Sequence, residues 1–280
     1  MNHGSPYHVR GWLNGCLRPA AWHLRELWRN PGYRALHRFH RILKSKARYV
    51  TSEVRFEGRP IQLCDGPSFL SAWDEIFVNR IYDLGPSDRE LCLVDAGANI
   101  GLAPLYWKWH YGRIRYLGFE PDPVVAECCR RNLAAWGIDG ELVEAALGAK
   151  EGTARFARDG ADAGRVLGSA ETDGKNMLTV PVKRLSAFLP KQVDLLKIDV
   201  EGSEGEVLEE VEPLLSRVRA VFLEWHGAPG ARGLAGTLRL LEEAGFECYP
   251  QVAVSPKHPF MRSAPPGPFS QQLNLYAFRP

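Results

Sequence analysis

The feature that most constrains this chain is a short apolar run that ends in an acidic glycine turn and passes straight into a helical stretch. Residues 91–96 (LCLVDA) lead into Asp95-Ala-Gly97-Ala-Asn99-Ile-Gly101, and helical spacing follows from about 101 to 111. A strand feeding a helix through so few residues is one βα unit. The alternation continues with IRYLGFE, a helix over 123–136, ELVEAAL, VDLLKID, a helix over 204–215, RAVFLE and a helix over 232–244. Two further strand segments, GFECYPQVAV and QQLNLYAFRP, flank a Pro-rich loop at 256–268. The pattern predicts an α/β fold: a mostly parallel seven-stranded sheet with helices on both faces.

One stretch, about 148–192, breaks this rhythm. It is Gly-rich and polar and holds two strand-like runs, 152–157 and 177–183, so it reads as a β-rich insertion. Ahead of the alternating body, residues 50–63 show strand periodicity around a Glu57-Gly58 turn, and 69–84 return to helical spacing.

The first fifty residues differ in charge. They carry ten Lys and Arg against the single acid Glu26, so a +9 arm precedes a body of −7 within a chain of net charge +2. Residues 19–29 read as a short helix. Asn30 and Pro31 then supply an N-cap and a first-turn proline for a second helix, with Tyr33, Leu36, Phe39 or His40, and Leu43 on one stripe. Such an arm serves an acidic surface: the body it is joined to, or an anionic membrane touched peripherally. The division expected is a basic helical arm over 1–50 and a catalytic-type domain over 51–280.

Six cysteines form no CxxC pair and no zinc spacing, which points to a reducing, cytoplasmic setting. No apolar stretch has the length of a membrane span.

The glycine turn lies where open α/β sheets bind ligands, beyond the carboxyl ends of parallel strands. A dinucleotide fingerprint requires a glycine where Asn99 stands, so the loop suits a ligand without a pyrophosphate. S-adenosylmethionine fits: Asp95 balances its ammonium, and Gly97 and Gly101 let the backbone close around its amino-acid end. The next strand ends in Gly118-Phe119-Glu120-Pro121-Asp122, and an acid there accepts ribose hydroxyls.

Two more strand ends carry acids. Lys197-Ile198-Asp199-Val200-Glu201-Gly202-Ser203-Glu204 sets Asp199 and Glu201 at the rim, with Ser203 and Glu206 as a capping box and Glu204 as a dipole-favoured first-turn acid. Phe222-Leu223-Glu224-Trp225-His226 puts Glu224 and His226 on one strand face. The paired proline and aromatic of amine-methylating sites are absent from the Asp199 segment, which argues against an exocyclic amine acceptor.

Taken together, EIFVNRIYDL, VDAGANIGLAPLYW, GFEPDP, EAALG, LLKIDVEGSE and LEWHG, in that order over roughly 70–227, resemble the FkbM-type family of S-adenosylmethionine-dependent methyltransferases. The resemblance implies a class I methyltransferase (Rossmann-like) fold. It also implies O-methylation of a sugar, glycan or complex natural product, with S-adenosylhomocysteine as the second product. By the same resemblance Asp95, Gly97, Asn99 and Gly101 hold the methionine part, Glu120 with Pro121 the ribose, and Ala146 falls near the adenine.

Methyl transfer to an alcohol needs alignment and removal of a proton. His226 is the expected base, oriented by Asp199 or Glu224, with Glu201 at the same rim; Mg2+ held by Asp199 and Glu224 is the other route. Two other functions fit parts of the sequence. A nucleic-acid methyltransferase would use the basic arm, but the chain lacks an RNA-binding module; a non-catalytic adenosyl-binding module would not need the acidic rim.

Overall fold

The computed structural model describes residues 20–158, 164–167, 177–227, 233–254, 269 and 271–279. The Pro-rich stretch 256–268 lies outside them, as does the charged segment before residue 20.

In chain order the elements begin with α1 (Ala20–Arg29), α2 (Pro31–Leu43), the hairpin β1 (Ser52–Phe56) and β2 (Arg59–Leu63), and α3 (Gly66–Trp73). The body follows with β3 (Leu91–Ala96), α4 (Leu102–Tyr111), β4 (Ile114–Phe119), α5 (Pro123–Trp136) and β5 (Gly140–Val143). Next come four short strands, β6 (Ala146–Leu147), β7 (Gly152–Ala157), β8 (Arg165–Val166) and β9 (Met177–Lys183). The remainder is β10 (Val193–Ile198), α6 (Glu204–Val211), β11 (Val218–His226), α7 (Leu234–Glu243), β12 (Glu247–Val254) and β13 (Gln272–Phe278).

The main sheet has seven strands in the order β12-β13-β11-β10-β3-β4-β5. β13 is antiparallel to both of its neighbours, β11 and β12, whereas β11, β10, β3, β4 and β5 pair in parallel. This is the class I methyltransferase arrangement expected from the sequence. Alternation along each strand fills two cores: Leu93, Leu195 and Phe222 face one side, while Val94, Leu196, Val221 and Leu223 face the other. A parallel strand covered on both faces needs such continuous apolar runs.

The insertion is a second sheet of four strands, ordered β6-β9-β7-β8, and its β7 and β9 match the two strand-like runs of the sequence. The segment ELVEAAL divides between the sheets, β5 in one and β6 in the other.

Asn30 caps α2 by accepting from the Tyr33 amide at 3.1 Å, as its position before Pro31 predicts. Tyr33, Leu36, Phe39 and Leu43 are buried, and His40 is only half-buried, so the stripe takes Phe39. Leu36, Phe39 and Leu43 belong to the same cluster as Phe56, Trp73, Phe77 and Trp107, so the hydrophobic core crosses residue 50. The Phe39 ring meets Trp73 edge-on at 4.9 Å. Part of the arm therefore completes the core on this face, which goes beyond docking.

The helix expected over 204–215 is α-helical over Glu204–Val211 and 3-10 over Glu212–Arg217, and two further local expectations differ. The helix expected over 69–84 begins at Gly66, because Asp65 caps it by accepting from the Ser68 amide, and after Trp73 it widens to a π-helical turn over Asp74–Val78. The Ser203–Glu206 capping box does not form: Ser203 makes no side-chain cap, and Glu206 Oε1 instead accepts from the Ala149 amide at 2.8 Å. Among the described residues Cys64, Cys92, Cys128, Cys129 and Cys248 are free thiols, and no helix is long and apolar enough to cross a membrane.

Candidate active site

The carboxyl ends of β3, β4 and β10 open onto one cavity. Gly97, Asn99, Glu120, Asp122, Asp199, Glu201 and Ser203 form its polar side. Phe119, Val125, Ala145, Ala146, Leu147, Phe156 and Val166 form its apolar side, so the insertion sheet supplies part of the wall.

The glycine turn is held from below. Lys197 lies beside Asp95 in the parallel register of β10 and β3, and its Nζ is 3.1 Å from Asp95 Oδ1 and 3.4 Å from Asp199 Oδ2. The same ammonium donates to the Gly97 carbonyl at 2.6 Å. Burial alone would discharge it, but the charges of Asp95 and Asp199 outweigh burial and hold its pKa above the ordinary lysine value. Asp95 is wholly buried, with Tyr116 donating to its Oδ2 at 3.3 Å, and it does not line the cavity. In this structure its carboxylate braces the turn, held by Lys197 and Tyr116.

Gly97 has φ +89°, and a Cβ there would stand 1.8 Å from the Asp199 carbonyl, so no other residue fits. Asn99 also adopts the left-handed region, at φ +49°, which asparagine tolerates; this explains how it fills a position where a glycine is usual in dinucleotide loops. Gly101, at φ +84°, begins α4 and packs against Cys129 rather than lining the cavity.

Glu120 accepts from the Asn99 amide on Oε2 and from the Asp122 amide on Oε1, both at 2.9 Å. Burial pushes its carboxyl up to about 7 against the pull of those two amides. Asp122 caps α5 and is gripped by Arg158 through Nε at 2.6 Å and Nη2 at 3.0 Å, which ties the insertion to the rim. Pro121 and Ala146 also line the cavity.

At the far rim Asp199 and Glu201 are half-buried and face the cavity. Glu201 holds a left-handed backbone, φ +53°. His226 is buried completely at its side chain. Its Nδ1 is 2.9 Å from Glu204 Oε1, and its Nε2 is 2.8 Å from Gln272 Nε2 and 3.6 Å from Glu201 Oε2. Gln272 also donates to Glu224 Oε1 at 2.9 Å, so Glu224 and His226 do share a face. Burial disfavours a charged ring, yet the hydrogen bond and charge of Glu204, with Glu201 and Asp199, push its pKa up to about 9. The Gln272 amide asks for the opposite, a lone pair on Nε2. Either way both nitrogens are engaged in this structure, Nδ1 by Glu204 and Nε2 by Gln272, so the ring as it stands presents no free lone pair to an acceptor hydroxyl. Burial, then the charge of Asp199, drives the Glu224 carboxyl well above its ordinary range.

Three contributors escaped the sequence reading. Glu204 is buried and accepts from the Val200 and Gly202 amides at 3.2 and 2.9 Å, so it is an anchor for His226 rather than a dipole-favoured surface acid. Lys197 carried a signal, a lone cation inside a buried strand, which needs a partner. Gln272, on β13, carried none.

The model of the methyltransferase FkbM domain matches residues 95–248. The chain is 32% identical over 197 residues to Methyltransferase 1 of Beauveria bassiana, covering 61% of this chain and 78% of that one. It is 33% identical over 211 residues to methyltransferase sdnD of Sordaria araneosa, covering 62% and 81%. It is 29% identical over 212 residues to the 31-O-demethyl-FK506 methyltransferase FkbM of Streptomyces tacrolimicus, covering 61% and 79%.

Proposed function

We propose that this chain, which belongs to the FkbM family of S-adenosylmethionine-dependent methyltransferases, methylates a hydroxyl oxygen of a sugar, glycan or complex natural product. The observation that carries the reading is that Asp199 and Glu201 line the same cavity as Gly97, Asn99 and Glu120. Acids therefore stand beside the nucleoside end rather than elsewhere on the molecule. The Streptomyces relative is named for methyl transfer to an oxygen, which supports the choice of acceptor atom.

The donor fits the donors and shapes present. Glu120 offers a carboxylate to ribose hydroxyls, the bare backbone of Gly97 admits close approach, and Ala146, Phe156 and Val166 offer an apolar slot to the adenine. When bound, S-adenosylmethionine supplies a methyl group already activated by its sulfonium. The chain's own work is alignment and proton removal. Asp199 and Glu201 orient the acceptor hydroxyl and take its proton as the C–O bond forms and the C–S bond breaks, leaving S-adenosylhomocysteine. Lys197 keeps Asp199 and the glycine turn in fixed relation.

The experiment is incubation of the purified chain with methyl-deuterated S-adenosylmethionine and metabolite, glycan and nucleic-acid fractions of an extract, read by mass spectrometry. Label on the oxygen of a polyhydroxylated small molecule or glycan is expected. Label on nitrogen, or in the nucleic-acid fraction, overturns the proposal.

A further inference from the structure

We infer that Asp199, Glu201 and His226 hold a divalent transition ion of the Mn2+ to Zn2+ series at the rim of the cavity. The use the ion is put to rests on the methyl-transfer reading above; its binding does not.

The three side chains come from the end of β10, the residue two beyond it and the end of β11, yet each offers a ligand atom within 4.8 Å of the others. Glu201 reaches this position through its left-handed backbone. Such a mixed set of one imidazole and two carboxylates differs from a plain acidic patch, because an imidazole adds nothing to a surface made for solvent.

The orientation of that imidazole is fixed in the way metal-binding histidines are fixed. Glu204 holds Nδ1 at 2.9 Å and is itself held by two backbone amides, Val200 and Gly202. A buried carboxylate on one ring nitrogen sets the tautomer and turns the other nitrogen outward as a donor. The amide of Gln272, 2.8 Å from Nε2, marks where that lone pair is aimed. An ion would bind there in place of the whole amide group, with the Gln272 side chain turned away from Nε2.

Charge points the same way. Asp95 and Asp199 lie against Lys197, and Glu201 and Glu204 against His226, so four carboxylates meet at this rim. Carboxylates out of bulk water require compensation. A nitrogen donor selects the later first-row ions over Mg2+ and Ca2+, which take oxygen ligands. Three protein ligands leave coordination positions open, and an acceptor hydroxyl bound at one of them would lose its proton more readily to a neighbouring carboxylate as the methyl carbon bonds to its oxygen and leaves sulfur.

The test is titration of Mn2+ into the full chain, followed by electron paramagnetic resonance, with S-adenosylmethionine affinity measured by calorimetry on the same sample. A stoichiometric Mn2+ site is expected, its spin-echo spectrum carrying the modulation of one coordinated imidazole nitrogen. Asp199→Asn and Glu201→Gln, both half-buried positions, should each weaken Mn2+ binding by about 10- to 100-fold. Zn2+ should displace Mn2+ where equal Mg2+ does not. Absence of a stoichiometric site, absence of the nitrogen modulation, or unchanged affinity in both variants overturns the inference. Retained S-adenosylmethionine binding without a Mn2+ site ends the ion alone; a Mn2+ site without S-adenosylmethionine binding ends the methyl-transfer reading alone.

Discussion

Lys197 and Asp95 face each other in the register of the two central parallel strands, and the lysine ammonium reaches past the carboxylate to the Gly97 carbonyl at 2.6 Å. One buried cation thus links the strand that begins the glycine turn to the strand that ends at Asp199. Removing it should leave a buried, uncompensated carboxylate. Lys197→Met is expected to lose about 3–5 kcal/mol in urea unfolding, and Lys197→Met with Asp95→Asn to lose distinctly less than the two single variants added together. Strict additivity would mean the pair does not act as a unit.

Gly97 and Gly58 share a positive φ but not their surroundings. Alanine at Gly58, φ +77° with open space beside it, should cost only about 1–2 kcal/mol, the price of the backbone conformation. Gly97→Ala must also displace the Asp199 carbonyl, so it should cost more and abolish S-adenosylmethionine binding. Thermal melts and calorimetry of the two variants would show it; equal behaviour would contradict the close approach.

Glu120 makes cofactor binding depend on pH. Its carboxyl, pushed up to about 7 by burial, must be ionised to accept both ribose hydroxyls, so affinity should rise from pH 6 to 8 and level off above. The stability consequence has the opposite sign. A carboxyl raised in the folded state contributes stability below its unfolded pKa, near 4.5, that is lost as pH rises through about 7. Whatever Glu120→Gln loses at the backbone amide it can no longer accept, its stability relative to wild type should rise from pH 5 to 8, while it binds S-adenosylmethionine more weakly at every pH. A pH-independent affinity in wild type would remove the carboxylate from the site.

The basic arm is in part a core element. Phe39 is fully buried among Phe69 and Trp73, and Phe39→Ala should cost about 3–5 kcal/mol, as for other large core truncations. A chain beginning at Thr51 should show a lowered melting temperature and bind a dye for exposed apolar surface. Unchanged melting would return the arm to a peripheral role.

The parts of the fold that were legible in the sequence are those set by local pattern. Strand alternation, Asn30 before Pro31, the Glu57-Gly58 turn and the insertion strands β7 and β9 all depend on near neighbours, and all appear where the pattern puts them. The cavity residues Gly97, Asn99, Glu120, Asp199 and Glu201 follow from strand ends, which topology alone brings together. What was illegible depends on partners remote in the chain. Glu206 was drawn from its cap by the Ala149 amide, Asp95 is held by Lys197, and His226 is held by Glu204 and Gln272. Periodicity places a side chain on a face but does not say which competing partner will hold it.

The measurement that bears most directly on the whole account is a crystal structure of the chain with S-adenosylhomocysteine. The ribose hydroxyls should lie on Glu120, the adenine against Ala146 and Phe156, and the sulfur toward Asp199 and Glu201. A ligand bound elsewhere, or one whose ribose does not touch Glu120, would contradict it.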